Sequence, residues 1–114
     1  MLPKSNRLKN KKDFDRVFKE GRGFKNDFLA LKAVKNNTDI SRFGFVVSQK
    51  VSKKAVIRNK IKRRLREIIK KDLAVFKNGI DIVLIVFPNL NDKDFSETQK
   101  IASDLFKKSG VIVK

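Results

Sequence analysis

Five of the seven residues in "RNKIKRR", positions 58–64, carry a positive charge. Cations at this density have one common use, the neutralisation of phosphate oxyanions. Arg58, Asn59, Lys60, Lys62 and Arg63 belong to the run, and Arg66 extends it. Lys50, Lys53 and Lys54 come just ahead of it or in its first turn. There a helix dipole disfavours cations, and a bound phosphate reverses that penalty. No acidic residue occurs between Asp39 and Glu67, whereas a merely solvated helix face interleaves Glu with Lys in i,i+4 pairs. A second constellation lies nearer the start. Phe14 and Phe18 are four residues apart with Val17 between them, flanked by Lys12 and Arg16. Rings at helical spacing form either a core stripe or a platform on which unpaired bases stack.

Other chemistries are short of residues. The chain has no Cys and no His, which removes the usual zinc ligands and nucleophile–base pairs. Asp13, Asp15 and Asp27 have no metal-ligand spacing and read as isolated surface acids, so no metal site is assigned. A glycine-rich phosphate loop is also missing. No apolar run approaches the ~20 residues of a bilayer span. The longest, "IVLIVF" at 82–87, has the length of a buried strand. The start lacks the apolar stretch of a signal peptide. The expectation is a cytoplasmic protein with no membrane partner, no zinc and no catalytic residue of its own.

These groups must be positioned by one domain spanning 1–114, long enough for a single modest core. Its 29 Lys and Arg oppose 12 Asp and Glu, a net charge of +17, and self-repulsion of that size fits a polyanionic partner. The charge is lopsided: residues 1–66 hold 21 basic and 5 acidic groups, and residues 67–114 hold 8 and 7. Residues 1–9 suggest an extended basic arm. A helix fits "KKDFDRVFKE" (11–20), with Asn10 as N-cap and Gly21 as stop. "FLALKAV" (28–34) and "RFGFVVS" (42–48) read as strands around the turn-like "KNNTD".

The basic helix runs from about Ser52 to Lys71. On its wheel Ile57, Ile61, Leu65, Ile68 and Ile69 share one arc, while Asn59, Arg63, Arg66 and Lys70 gather opposite, with Lys62 beside them. "DIVLIVF" (81–87) is a buried strand ended by Pro88. A last helix near 95–108 has capping-box spacing at Asp94 and Glu97 and a stop at Gly110. Phe43, Phe45, Phe87, Phe95 and Phe106 read as core. With two or three strands before the basic helix, the order is αβββαβα, a single-domain α+β sandwich.

"KKAVIRNKIKRRLREII" resembles the arginine-rich signature of the bacterial ribonuclease P protein subunit. Arg58, Asn59, Lys62, Arg63, Arg66 and Glu67 match it, and Lys60 replaces an arginine, keeping the charge and losing the planar fork. "RFGFVVSQKVSKKAV", "RLKNKKDFDRVFKEG" and the Asp-Phe-Ser-Glu stretch carry the likeness over nearly the whole chain. The resemblance implies an RNA-binding subunit that joins a large catalytic RNA, the pair removing the 5′ leader from precursor tRNA. Hydrolysis would belong to the RNA and its Mg²⁺, with no cofactor held by the protein. Lys50, Lys53, Lys54, Arg58, Asn59, Lys60, Lys62, Arg63 and Arg66 would bind the catalytic RNA. Phe14, Phe18, Leu29 and Leu31 would line a cleft for the single-stranded leader, with Lys12, Arg16 and Lys32 near its backbone. The family also implies a left-handed βαβ crossover, against the usual right hand. The alternative function is a ribosomal or RNA-chaperone protein of the same charge and size. A self-sufficient nuclease would need carboxylates converging on a metal.

Overall fold

A computed structural model describes residues 2–112. Helix α1 (Lys11–Glu20) begins where the Asn10 carbonyl accepts from the amides of Asp13 and Phe14, at 3.0 and 3.1 Å; the Asn10 side chain makes no cap. It is followed by β1 (Arg22–Lys25), β2 (Leu29–Lys35) and β3 (Arg42–Val46). Helix α2 spans Ala55–Lys71, β4 spans Ile80–Val86 and α3 spans Phe95–Ser109. The capping box at α3 is reciprocal: Glu97 N–H donates to Asp94 Oδ1 at 2.8 Å, and Asp94 N–H donates to Glu97 Oε1 at 3.3 Å. Gly110 ends α3 in the left-handed region, φ 73°, where only glycine is unstrained.

The sheet order is β1-β2-β4-β3, with β4 antiparallel to β2 and parallel to β3. β4 therefore sits inside the sheet, which is why it reads as an unbroken apolar run. α2 fills the connection between the two parallel neighbours. Strand alternation sends residues to two separate cores. Leu29, Leu31, Phe43, Ile82 and Leu84 join Ile61, Leu65, Ile68, Ala102 and Leu105 beneath α2 and α3. On the opposite face Leu8, Val17 and Val83 form a smaller cluster under α1, with Phe14, Val34, Val46 and Ile85 against it.

The N-terminal segment lies along β3. Leu2 is fully buried, Lys4–Asn6 make one 3-10 turn, and Arg7 forms a parallel bridge with Phe43. Leu8 N–H donates to the Phe43 carbonyl at 2.8 Å. Three core assignments need adjustment, the first being Phe87, which is half-buried just past the end of β4. Phe95, the first residue of α3, is 41% exposed, and Phe45 is only half-buried. The turn after β2 is held by buried Asn36, whose Oδ1 accepts from Thr38 N–H and Oγ1–H, at 2.9 and 2.8 Å.

Candidate nucleic-acid interface

The α1 face of the sheet carries three cross-strand rows. The register pairs Val34 and Arg42 with Asp81, Lys32 and Gly44 with Val83, and Ala30 and Val46 with Ile85. The first row is ionic. Fully buried Asp81 accepts from Arg42 Nε at 2.9 Å and Nη2 at 2.7 Å, and from Asn36 Nδ2 at 2.8 Å. Arg42 Nη1 also donates to Asp13 Oδ2 on α1 at 3.3 Å. Arg16 Nη1 lies 3.7 Å from Asp81 Oδ2, and its Nη2 donates to the Lys35 carbonyl. The hydrogen bond to Asp81 outweighs desolvation and holds the Arg42 guanidinium above its ordinary pKa. One row thus clamps both ends of an Asp13–Arg16 turn to the sheet.

In the second row Phe14 fills the space left by Gly44, where a Cβ would stand 2.5 Å from the ring. Lys32 Nζ donates to the Phe18 carbonyl at 3.0 Å. The third row is half-buried, and Phe18 is 37% exposed. α1 is thus tied to the first two rows, with Phe14 half-buried and Phe18 exposed.

Phe14 also forms a wall of a groove of about 300 Å³ that joins four segments. Arg7, Leu8 and Lys9 come from the N-terminal segment, Phe43, Gly44 and Phe45 from β3, and Lys62 and Arg66 from α2. The guanidinium of Arg66 lies 5.8 Å from the centre of the Phe45 ring. Four cations and three rings meet here, and no carboxylate lines the space.

α2 is oriented by Ile61, Leu65, Ile68 and Ile69, all buried, with Ile57 packed against the same core. Asn59, Lys60 and Arg63 are exposed, as are Lys50, Lys53 and Lys54 in and after the preceding turns. Residues 48–54 are turns rather than helix: Val51 N–H donates to the Ser48 carbonyl at 3.1 Å, and the Val51 side chain is buried. Arg58 bends back, its Nη1 donating to the carbonyls of Ser52 and Lys53, both at 2.9 Å. It holds in place the turn that carries the lysines.

The expected leader-cleft set divides. Phe14, Phe18 and Lys32 are together on the α1 face, and Lys12 is exposed on the first turn of α1. Leu29 and Leu31 do not line that cleft: both are fully buried beneath α2 and α3. Alternation puts their neighbours Ala30 and Lys32 on the α1 side instead. Arg16 is engaged with Asp81 and the Lys35 carbonyl rather than facing a groove. Arg7 and Lys9 are groove residues that the sequence does not single out, as is Gly44, while Phe45, read as core, also lines the groove. Only the density of cations near the start hints at the first two.

Paired cations and rings, with no lining acid, are the composition that nucleic-acid-binding surfaces use. Comparison with known proteins makes the class specific. The family model described as Ribonuclease P matches residues 2–110. The ribonuclease P protein component of a Synechocystis species is 38% identical over 112 residues, 97% of this chain and 90% of that one. That of Clostridium botulinum is 37% identical over 109 residues, 95% and 97% of the two chains. The RNase P protein of Staphylococcus aureus superposes with a TM-score of 0.88 at 31% identity, covering 93% of this chain and 96% of that one. The Thermotoga maritima protein, solved in complex with 1-(4-fluorophenyl)-2-thiourea, gives 0.83 at 37% identity, with 90% and 98% covered. The chain belongs to the ribonuclease P protein family, RNA-binding subunits of a tRNA-processing endoribonuclease. Among the described residues no three acidic side chains gather as metal ligands, and no helix is long and apolar enough to cross a membrane.

Proposed function

We propose that the two surfaces serve two different RNAs at once. The outer face of α2, with Asn59, Lys60, Arg63 and the lysines of the preceding turns, takes the phosphates of the catalytic RNA. Phe14, Phe18 and Lys32 take the single-stranded 5′ leader of precursor tRNA, the rings stacking on its bases. The groove between them is the seam, with Lys62 and Arg66 facing Phe14 across it. This groove is the observation that carries the reading, because it joins cations of α2 to a ring of α1 with no carboxylate between. Mg²⁺ acts on the RNA side, where the hydrolysis occurs, in the cytoplasm.

The test is a crossed comparison in the reconstituted holoenzyme. Phe14→Ala and Phe18→Ala should each weaken precursor tRNA binding by about 1–3 kcal/mol, as expected when a stacked base loses its ring, and spare mature tRNA. Arg63→Ala should weaken assembly with the catalytic RNA and spare that preference. Equal effects on precursor and mature tRNA on removing the rings would reduce them to core residues.

A further inference from the structure

We infer that Gly44 is a positioning residue for leader recognition, because its missing side chain sets the depth at which the Phe14 ring lies. This rests on the reading that Phe14 meets the leader. A Cβ on Gly44 would stand 2.5 Å from Phe14 Cζ and 2.6 Å from Cε1, with Leu8 Cβ at 3.3 Å. Carbon atoms rest at about 3.5–4.0 Å, so a methyl group would drive the ring back by roughly 1 Å. Backbone conformation does not explain the glycine. The described glycines with positive φ are Gly79 and Gly110, and Gly44 is an ordinary residue of β3 paired with Val83. Glycine inside a strand weakens it and marks a place where something approaches closely. Here the close neighbour is the far end of an aromatic ring. That ring and Gly44 line the same groove as Lys62 and Arg66, so its depth fixes how much ring faces the cations.

The severe clash, below 3.0 Å, involves only the outer ring atoms of Phe14, which supplies the test. Leucine at position 14 has no atoms where Cε1 and Cζ stand, so Phe14→Leu removes the conflict. The readout is the ratio of dissociation constants for mature and precursor tRNA, measured on holoenzyme carrying Gly44→Ala, Phe14→Leu or both. Gly44→Ala should lower the preference for precursor by about five- to ten-fold, within the range of a single base stack, with affinity for the catalytic RNA unchanged. In the Phe14→Leu background the same substitution should add nothing further. If Gly44→Ala keeps the full preference while Phe14→Leu loses it, the inference is overturned and the leader reading stands. A preference untouched by Phe14→Leu and Phe14→Ala sinks the leader reading itself. Equal reductions from Gly44→Ala in both backgrounds would mean the effect bypasses the ring, which also overturns the inference. Should Gly44→Ala fail to fold, the double variant should regain a cooperative melt; a double variant equally unfolded overturns it too.

Discussion

Arg42 and Asp81 are 39 positions apart in the chain, and nothing in spacing or periodicity joins them. Asp81 opens an apolar run and reads as part of a buried strand, which it is; its carboxylate needs partners that only the fold supplies. Removing one side of such a pair strands the other. Arg42→Met should cost about 3–5 kcal/mol in chemical denaturation and loosen α1, since Asp13 loses its partner as well. A change within experimental error would show that Arg16 and Asn36 satisfy Asp81 without help. The arginine's own contribution should be flat across neutral pH. A folded pKa above the unfolded one gives stability that is present below the unfolded value and disappears only as pH climbs through the folded one. Leu29 and Leu31 show a related effect. Alternation tells which residues share a face, but the choice between the two faces depends on where α1 lands.

The helices are legible because their period is long and their faces contrast. Ile57, Ile61, Leu65, Ile68 and Ile69 form the seam of α2 that the wheel predicts, and the Asp94–Glu97 capping box of α3 is present in both directions. The order αβββαβα counts three strands before α2, but the sequence does not locate β1, and its composition explains why. "RGFK" holds two cations and a glycine, and it pairs on one side only, at the edge of the sheet. The bend of Arg58 is equally invisible, since a wheel assumes that every side chain points outward. At this scale phosphate binding predicts a salt signature. Arg63→Ala with Lys60→Ala should leave the protein folded and lower its affinity for the catalytic RNA. The log–log salt slope should become shallower by roughly one unit or less for each phosphate no longer neutralised. An unchanged slope in a folded double variant would remove α2 from the interface. Arg58→Ala should act differently, by loosening residues 48–54 and so the lysines they carry.

Across the whole molecule the charge and the chemistry are complementary. Asp13 and Asp81 are held by Arg42, so two of the acids in the basic half's neighbourhood already have cations as partners. Phosphodiester hydrolysis needs an activated water and a stabilised oxyanion, most readily from metals held by converging carboxylates. RNA-free, nuclease-free protein should therefore leave precursor tRNA intact at any Mg²⁺ concentration. Added to the catalytic RNA at low Mg²⁺, it should restore cleavage of the 5′ leader, and its advantage should shrink as Mg²⁺ rises and screens the RNA instead. Cleavage by the protein alone, abolished by ordinary protein denaturation, would replace this account with that of a self-sufficient nuclease.

The sheet order has a consequence for how the chain comes together during synthesis. β4 is the strand that β2 and β3 both need, yet it lies at Ile80–Val86, behind the whole basic half. Until it emerges, β1 and β2 can form only a hairpin and β3 has no neighbour but the Arg7 bridge. Isolated hairpins are marginal in water, and local repulsion opposes compaction of residues 1–66. The nearly neutral second half thus brings the closing strand to a first half that cannot build a sheet by itself. Assembly is gated by the order of translation, and the surface meant for RNA exists in its final shape only after its least charged neighbour has arrived.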